Sequence, residues 1–471
     1  MDVGRVNQPI RIVDTQQKRF QYATLSHCWG TGPTLTTTKA NWQRISSNIP
    51  FDALPALFQD AIIITRQLGI RYLWIDSLCI IQDSQRDWET ESAKMGGIYE
   101  NSYVTIAATM SGNGTTRCLV DRLKPLRISY ENSRKEEFAI RARKALDHHP
   151  DGSEDKPARP RGPLSTRAWA LQEHVLSTRI LHYTSTELLF ECRTSFRCEC
   201  TKPKKRQPTT PSLIPKAIAS KGKDQYRMWH AWQQVVCQYS KRAITVPADE
   251  LPAISGIASK IYSATSSTYL AGLWVGNLAS DLLWSTDPND KSVLELTSPD
   301  PWRAPTFSWA SIKARVMYYD PDEDERAKFK SQIAIRAAGC KISSLNPLGT
   351  VSDGLILLEG PVLEVILVAE ETVASGMSYQ LLIKGTSAIP ITPDCLLVQD
   401  GETARRARLE EPRSAFKANV LCLAVASYDS WISGIVLGLS QRVPEAYERL
   451  GAFAAGGEVF RKAEKRTLKL V

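Results

Sequence analysis

The chain has 471 residues, of which 43% are hydrophobic, 23% charged and 8% aromatic. These proportions are typical of globular proteins, allow two or three domains and argue against a largely disordered chain. The formal net charge of +9 is unevenly placed, because residues 201–227 contain eight lysines and arginines against the single acid Asp224. The rest of the chain therefore lacks the extended basic face that neutralises nucleic-acid phosphates, and we expect no nucleic-acid partner.

Several features predict where the protein resides. The sequence has no apolar run of about 18 residues or more, so no membrane span is expected. The first residues, MDVGRVNQPIRIVD, lack the apolar core of a signal peptide. Ten scattered cysteines are too few for a disulfide scaffold, which indicates reduced thiols. We expect a cytoplasmic protein; the PKKR sequence at 203–206 either keeps a linker soluble, which we favour, or directs the chain to the nucleus.

Strand-like and helix-like segments alternate through the first part of the chain. The pattern predicts, in chain order, a strand at 21–29, a helix at 55–69, a strand buried on both faces at 71–81, a helix at 87–102 and a strand at 103–109. Gly69 stands where the first of these helices should end. Strands alternating with helices at this spacing predict a parallel α/β sheet.

The next segments are less regular. Residues 125–143 show apolar alternation on both sides of a polar turn, which predicts a hairpin, and 147–163 is a loop by composition. The sequence STRAWALQEHVL then predicts a helix capped by Ser165 or Thr166. Two further strands are expected in RILHYT and ELLFEC.

A basic, proline-rich segment at 201–225 predicts a linker between two parts of the chain. The first part, residues 1–200, is the predicted α/β domain. The second, residues 226–471, is expected to be a mixed α+β region with no assigned function and no internal repeat. Its predicted elements are helices at 226–242 and 249–264 and strands at 304–320 and throughout 331–440.

Three sequence blocks in the first part resemble the HET domain of fungal heterokaryon-incompatibility proteins. They are YATLSHCWG, then LPALFQDAIIITRQLGIRYLWIDSLCIIQD continuing to YVTIAA, then LSTRAWALQEHVLSTRILHY followed by FEC. The resemblance covers about residues 22–192. The chain departs from the family pattern in two places, with SHCWG for the usual Ser-Tyr-x-Trp-Gly and RAW for the usual Arg-Gly-Trp. Neither departure removes a carboxylate, although both alter what would be a pocket wall.

The resemblance implies a role in non-self recognition that ends in programmed cell death. HET domains are in turn similar, at long range, to TIR domains, which are flavodoxin-like modules that act as signalling scaffolds and in some cases cleave NAD. The implied fold is therefore a TIR/flavodoxin-like parallel sheet flanked by helices. The TIR catalytic motif is a tryptophan followed four residues later by a glutamate at the start of a helix. Trp169 and Glu173 have that spacing.

Glu173 is thus the candidate catalytic residue. Trp169 and Glu173 share one face of the predicted helix. Cleavage of the nicotinamide–ribose bond develops positive charge on the ribose, which the carboxylate would stabilise while the tryptophan walls the pocket. Arg167 would hold a phosphate or orient the acid. The alternative is an ordinary amphipathic helix, with Glu173 at its wet edge or in an ion pair with Arg167 or Arg179.

The loop after the first strand contains further candidate substrate-binding residues: Ser26, His27, Trp29 and Gly30. In open α/β sheets, ligands bind beyond the carboxyl ends of the strands. This loop therefore either lines a nucleotide pocket or is a tight turn anchored by Trp29 and Gly30. A nucleophilic pair of His27 with Cys28 is disfavoured, because adjacent residues of a strand point to opposite faces.

Three acids complete the candidate set. Asp76 ends the second strand and Asp83 follows a few residues later; Asp76 either binds ribose hydroxyls, caps a loop, or pairs with Arg66 or Arg71. Glu91 lies in the first part of the next helix, where it either contributes to the site or complements the helix dipole.

No metal site and no cofactor are predicted, with NAD as the candidate substrate. The cysteines at 192, 198 and 200 lack the usual spacing of a zinc site and a fourth ligand. Two mechanisms remain open: an NAD glycohydrolase, or a non-enzymatic scaffold that assembles with copies of itself or with an incompatibility partner protein. Convergence of Glu173, Asp76 and the loop at 26–30 on one place would favour the enzyme.

Overall fold

The computed structural model describes the whole chain except residues 6–7, 16–17, 33, 122–125, 143–161, 200–213, 215–216, 219–224, 288–292, 294–295, 300, 373–375 and 384. Nearly all of the predicted loop at 147–163 and most of the predicted linker at 201–225 lie outside the described residues. The chain forms two compact units, Met1–Ser212 and Leu213–Val471.

The N-terminal unit places its helices around a six-stranded sheet. Its helices are α1 (Trp42–Ser47), α2 (Ala56–Gln67), α3 (Asp76–Cys79), α4 (Gln85–Asn101) and α5 (Ala168–Leu176), with 3-10 helices at Phe51–Ala53 and Pro163–Thr166. Its strands are β1 (Tyr22–Ser26), β2 (Tyr72–Trp74), β3 (Val104–Ala107), β4 (Leu126–Glu131), β5 (Glu137–Ala142), β6 (Arg179–Tyr183), β7 (Leu188–Cys192) and β8 (Phe196–Cys198).

The main sheet has the strand order β2-β1-β3-β6-β7-β8. Its first four strands are parallel, as the alternation of strands and helices predicted, and β7 and β8 extend it in the antiparallel sense. The sheet is therefore mixed rather than wholly parallel. The reason is the connection at 184–187, which is long enough for a hairpin but far too short for the crossover that a parallel pair requires.

Local sequence accounts for much of this unit. Strands β1 and β3 are apolar runs whose side chains are almost entirely buried. Helix α2 buries a stripe at helical spacing that includes Leu57, Phe58 and Ala61, and it ends before Gly69, whose φ of +72° suits a glycine. The predicted hairpin is confirmed, since β4 and β5 pair across a turn at 132–136.

Two predicted boundaries are wrong. The strand expected over 71–81 ends at Trp74, because the side chain of Asp76 accepts a hydrogen bond from the backbone N–H of Ser77 at 2.7 Å within the first turn of α3. Helix α5 is not capped by Ser165 or Thr166. Both lie in the preceding 3-10 helix, where their hydroxyls donate to backbone carbonyls within that turn.

The C-terminal unit is built on an 11-stranded sheet. Helices α6 (Gln225–Tyr239) and α7 (Ser255–Thr265) confirm the two predicted helices, and strands dominate after residue 331, as expected. The strand predicted over 304–320 is wrong, because most of that range is loop and a 3-10 helix at Trp309–Ser311. The remaining helices are α8 (Leu278–Asp281) and α9 (Glu323–Ala327), with 3-10 helices at Pro247–Asp249, Pro252–Ile254, Val275–Asn277 and Gly457–Phe460.

The strands of this unit comprise two short pairs and the large sheet. The short pairs are β9 (Tyr269–Leu270) with β10 (Leu273–Trp274), and β11 (Ser285–Thr286) with β12 (Val316–Met317). The large sheet contains β13 (Phe329–Ser331), β14 (Ala334–Ile342), β15 (Val351–Thr372), β16 (Gly376–Leu382), β17 (Ile389–Pro393), β18 (Leu397–Asp400), β19 (Thr403–Arg406), β20 (Phe416–Tyr428), β21 (Trp431–Leu439), β22 (Tyr447–Gly456) and β23 (Glu464–Leu470).

A buried ionic triad lies in the C-terminal unit. The carboxylate of Asp394, 0% exposed, lies 2.7 Å from the guanidinium of Arg406 and 3.4 Å from that of Arg449. The Arg449 guanidinium also lies 3.4 Å from the centre of the Trp284 ring. Burial lowers the pKa of Arg449 to about 10. The single carboxylate therefore compensates two cations in the interior.

None of the helices in the described part of the chain has the length and apolar character that a bilayer crossing requires.

Candidate functional site

Glu173 is buried in α5 and points into a polar cluster. Its side chain is only 2% exposed, and its Oε2 accepts a hydrogen bond from the hydroxyl of Ser26 at the end of β1. The hydroxyl of Tyr99, on α4, is within hydrogen-bonding reach of both this carboxylate and the carbonyl of Leu25, which lies 3.1 Å away. The placement of Glu173 at the wet edge of an amphipathic helix is therefore wrong.

The environment of Glu173 brings the pKa of its carboxyl group close to neutral pH. Burial raises the pKa of its carboxyl group to about 7, and the negative charge of Asp76 acts in the same direction. The nearby Arg167 and the hydrogen bonds from Ser26 and Tyr99 oppose this rise, because each favours the ionised form. Near pH 7 both protonation states of Glu173 are populated, as expected of a group that takes part in proton transfer or charge stabilisation.

Asp76 lies beside the loop that follows β1. Its Oδ2 accepts a hydrogen bond from the indole Nε1 of Trp29 at 2.9 Å, and its Oδ1 lies 3.7 Å from Nδ1 of His27. Of the alternatives for Asp76, pairing with Arg66 or Arg71 is wrong, since Arg66 donates to the carbonyl of Val3 and Arg71 binds the carboxylate of Asp2. The capping alternative fits the structure, because Asp76 accepts hydrogen bonds from Trp29 and from the backbone N–H of Ser77. Asp76 is thus committed to the loop, and its side chain remains 13% exposed.

His27 has an almost completely buried imidazole, 1% exposed, which lies beside Asp76 and packs edge-on against Phe58 of α2. Burial lowers its pKa, so the ring is neutral at physiological pH. The carboxylate of Asp76, 3.7 Å from Nδ1, and a backbone contact with Leu25 oppose this effect of burial on the pKa.

Arg167 and Cys28 border the same cluster. The guanidinium of Arg167 donates to the carbonyl of His27 and lies close enough to Glu173 to oppose the rise in its pKa. Arg167 therefore connects the start of α5 to the loop. Burial raises the pKa of the Cys28 thiol, so the thiolate needed for a nucleophilic pair with His27 is disfavoured.

The loop conformation depends on Gly30. Its φ of +76° lies in the left-handed region, and a Cβ added here would meet the Cβ of Asn113 at 2.4 Å. No other residue fits without strain. The tight-turn interpretation and the pocket interpretation of this loop are therefore compatible, because the turn is what holds Trp29 against Asp76.

Two of the predicted acids lie away from the cluster. Asp83 is exposed and accepts a hydrogen bond from the backbone N–H of Lys39 at 2.8 Å. Glu91 forms an ion pair with Lys94 at 2.7 Å and lines a separate cavity of about 930 Å³. This cavity touches the cluster indirectly, since its wall includes Trp74, whose ring packs edge-on against Tyr99.

The structure thus brings together most of the residues that the sequence predicted. Glu173, Ser26, His27, Trp29, Gly30, Asp76 and Arg167 converge where β1 and β2 end and α5 begins. Trp169, half-buried, lies one turn before Glu173 on the same face of α5. Convergence follows from the parallel register, which brings the carboxyl ends of neighbouring strands to one edge of the sheet.

Sequence reasoning missed two features. Tyr99 was not singled out because nothing in α4 distinguishes a tyrosine that faces an acid from one in an apolar core. A second cluster formed by His174, His182 and Glu191 was also missed, because its members come from α5, β6 and β7. The only signal was the pairing of β6 with β7, which places alternate side chains on a common face. The sequence-based prediction that the cysteines at 192, 198 and 200 bind no zinc is not tested, since Cys200 lies outside the described residues.

The fold and the site define an α/β domain with a buried acid cluster at the carboxyl ends of parallel strands. Residues 22–173 match the family model described as heterokaryon incompatibility protein (HET). The predicted resemblance is confirmed, and this segment, about a third of the chain, is a HET domain, which indicates a role in heterokaryon incompatibility. No curated protein and no solved structure matches the chain.

Proposed function

We propose that the N-terminal unit is an effector of heterokaryon incompatibility that causes cell death by cleaving the nicotinamide–ribose bond of NAD. The observation that carries this proposal is the convergence of Glu173 with Ser26, Asp76 and the His27 ring on one edge of the sheet. The likeness to TIR domains, with Trp169 and Glu173 at the motif spacing, supplies the reaction. A scaffold has no need of such a cluster.

Glu173 would act through its charge. When the bond between nicotinamide and ribose breaks, neutral nicotinamide leaves with the bonding electrons, and the adjacent carboxylate stabilises the positive charge that builds on the ribose. Water then adds to that ribose carbon and releases a proton, which gives ADP-ribose. The nicotinamide ring of NAD is itself cationic, so its approach favours the ionised form of Glu173 and lowers the pKa from about 7. Burial then strengthens the attraction, because little water screens it.

The neighbouring groups have complementary tasks. Ser26 holds one carboxylate oxygen of Glu173, and Tyr99 supplies a second hydroxyl when that carboxylate is ionised. Asp76 is the partly exposed acid of the cluster and would accept hydrogen bonds from the ribose hydroxyls. Arg167, whose guanidinium already reaches the carbonyl of His27, would orient Glu173 or hold a phosphate.

Activity requires a rearrangement. Because Glu173 is 2% exposed, a molecule as large as NAD reaches it only after the groups around the carboxylate move. We therefore propose that the enzyme becomes active on assembly, either with further copies of the chain or with an incompatibility partner. The activating step would be the opening of the cluster between the loop after β1 and α5.

The test is to express the full chain in fungal cells and to measure NAD and viability. Wild type should lower both, and Glu173→Gln at matched expression should lower neither. Glu89→Gln is the matched control, because Glu89 lies on α4 and bonds Gln85 at 2.9 Å. If wild type and Glu173→Gln kill equally while NAD is unchanged, the enzyme proposal is wrong and the domain acts as a scaffold.

A further inference from the structure

A second polar cluster includes His174, the residue that follows Glu173 in α5. The Nε2 atoms of His174 and His182 each lie 3.0 Å from the same carboxylate oxygen, Oε2 of Glu191. The two imidazole rings are 5.4 Å apart and nearly perpendicular. Three consecutive elements, α5, β6 and β7, thus bring one potential ligand atom each into a single small cluster.

The spacing of these atoms is that of a metal-binding site. All three ligand atoms lie within 4.8 Å of one another. In a tetrahedral zinc site with bonds of about 2.0–2.1 Å, neighbouring ligand atoms are roughly 3.3 Å apart. To hold an ion, each nitrogen–oxygen distance of 3.0 Å would open slightly, and the two nitrogens, which lie within 4.8 Å of each other, would approach to roughly 3.3 Å.

The ligand chemistry points to a particular class of ion. Two imidazoles and one carboxylate are a ligand set used for zinc, and imidazole nitrogen favours zinc, cobalt or nickel over magnesium or calcium. His182 and Glu191 are buried, whereas His174 is 18% exposed and leaves an entry path from solvent. The second ring nitrogen of His182 lies 3.5 Å from the hydroxyl of Thr109, which is placed to orient the ring.

We propose that His174, His182 and Glu191 bind one divalent ion of the zinc class. The ion would tie α5 to the hairpin of β6 and β7. Because His174 directly follows Glu173 in α5, the same contact would fix the helix that positions the acid. This inference does not depend on NAD cleavage, since an ion that holds α5 would serve a scaffold equally well.

The competing account is a metal-free triad in which each imidazole donates its own Nε2 proton to the carboxylate of Glu191. The two nitrogen–oxygen contacts of 3.0 Å are those of the metal-free triad, and they are also close to the roughly 3.3 Å spacing that a bound ion would require. The two accounts differ in one measurable respect. Only a metal site takes up cobalt with the visible absorption of a tetrahedral complex and loses that absorption when one ligand is removed.

The experiment uses the purified full chain, stripped with a chelator and titrated with Co²⁺ and then Zn²⁺. We expect one ion per chain, a tetrahedral cobalt spectrum that zinc abolishes, and a higher melting temperature with zinc than with the chelator. His174→Ala should weaken cobalt binding by at least about 100-fold, more than the loss of a merely supporting residue causes. His230→Ala is the control, because His230 lies in α6 beside Asp320, at 3.1 Å.

Two results would overturn the proposal. One is a wild-type chain that takes up no more cobalt than His174→Ala, which would leave the metal-free triad. The other is a tetrahedral spectrum that persists in His174→Ala, which would place the ion elsewhere. Circular dichroism checks that metal-free His174→Ala is folded. His174 is the residue chosen for substitution because it is partly exposed, so its removal should disturb the fold least. Glu191→Gln provides a second ligand removal with nearly unchanged side-chain volume.

Discussion

The hydroxyl of Ser26 donates a hydrogen bond to the carboxylate of Glu173, which lies 147 residues further along the chain. This bond joins the end of β1 to the middle of α5 and is buried. It favours the ionised carboxylate in a place where burial favours the neutral acid. Together with the charges of Arg167 and Asp76 and the hydroxyl of Tyr99, these two effects bring the pKa of Glu173 to about 7.

Ser26→Ala should raise the pKa of Glu173 further. A hydrogen bond to a charged group contributes about 1.5–3 kcal/mol, which corresponds to about 1–2 pKa units. Titration of the carboxyl carbon by ¹³C NMR measures the change. Ser26→Thr keeps the hydroxyl and should leave the pKa close to that of wild type; an equal rise in both variants would show that the hydroxyl is not the cause.

Asp76→Asn should shift the pKa of Glu173 in the opposite direction. The negative charge of Asp76 helps to raise that pKa, so its removal lowers it. The asparagine carbonyl can accept the indole hydrogen bond of Trp29 or that of the Ser77 N–H, but its amide nitrogen cannot replace the second acceptor, so circular dichroism of the variant checks that the loop is kept. The same NMR titration tests the shift, and an unchanged or increased pKa would contradict the electrostatic account.

The stability of the chain should depend on the protonation of Glu173. Its pKa is raised from the ordinary value of 4.5 to about 7, so the folded state binds this proton more tightly than the unfolded state. Stability therefore falls as pH rises from about 4.5 to about 7, by about 3 kcal/mol, and the whole penalty is present above that range. Glu173→Gln lacks the penalty.

Relative to wild type, Glu173→Gln should thus gain about 3 kcal/mol of stability between about pH 4 and about pH 8. Urea unfolding of the full chain at each pH measures the difference, and the comparison with wild type cancels other groups that titrate in this range. Glu89→Gln should show no such gain. A variant whose stability follows that of wild type at every pH would mean that Glu173 has an ordinary pKa.

Gly30→Ala should destabilise the N-terminal unit. The added Cβ would meet Asn113 at 2.4 Å, and a φ of +76° is unfavourable for alanine. Strain of this kind costs about 1–3 kcal/mol. Gly32→Ala is the matched control, because a Cβ there meets nothing within 4 Å. Thermal unfolding should separate the two variants, and equal melting temperatures would show that the loop adapts.

Asp394→Asn should strongly destabilise the C-terminal unit. The substitution leaves the cations of Arg406 and Arg449 buried without a negative charge, at a cost of about 3–5 kcal/mol. Asp400→Asn removes a more exposed acid 4.0 Å from Arg405 and should cost about 1 kcal/mol or less. Urea unfolding of the full chain measures both, and similar losses would mean that Asp394 is not needed as the counter-ion.

Much of the N-terminal fold was predictable because it depends on local patterns. Apolar runs produce β1 and β3, helical spacing produces α2, and apolar alternation around a polar turn produces the hairpin of β4 and β5. The end of β2 was not predictable, since the run over 71–81 remains apolar beyond Asp76. There a local side-chain bond to Ser77 outweighs strand propensity.

The sequence by itself determined the resemblance to the HET domain, the succession of parallel strands and helices along the chain, and the edge of the sheet at which the candidate residues lie. Only the tertiary structure decided that Glu173 is buried, that Asp76 binds Trp29 rather than an arginine, and that Tyr99 belongs to the cluster. Periodicity states which face of an element is turned inward, but not which polar group it meets there. Burial and hydrogen bonding across 147 residues depend on the packing of α4 and α5 against the sheet.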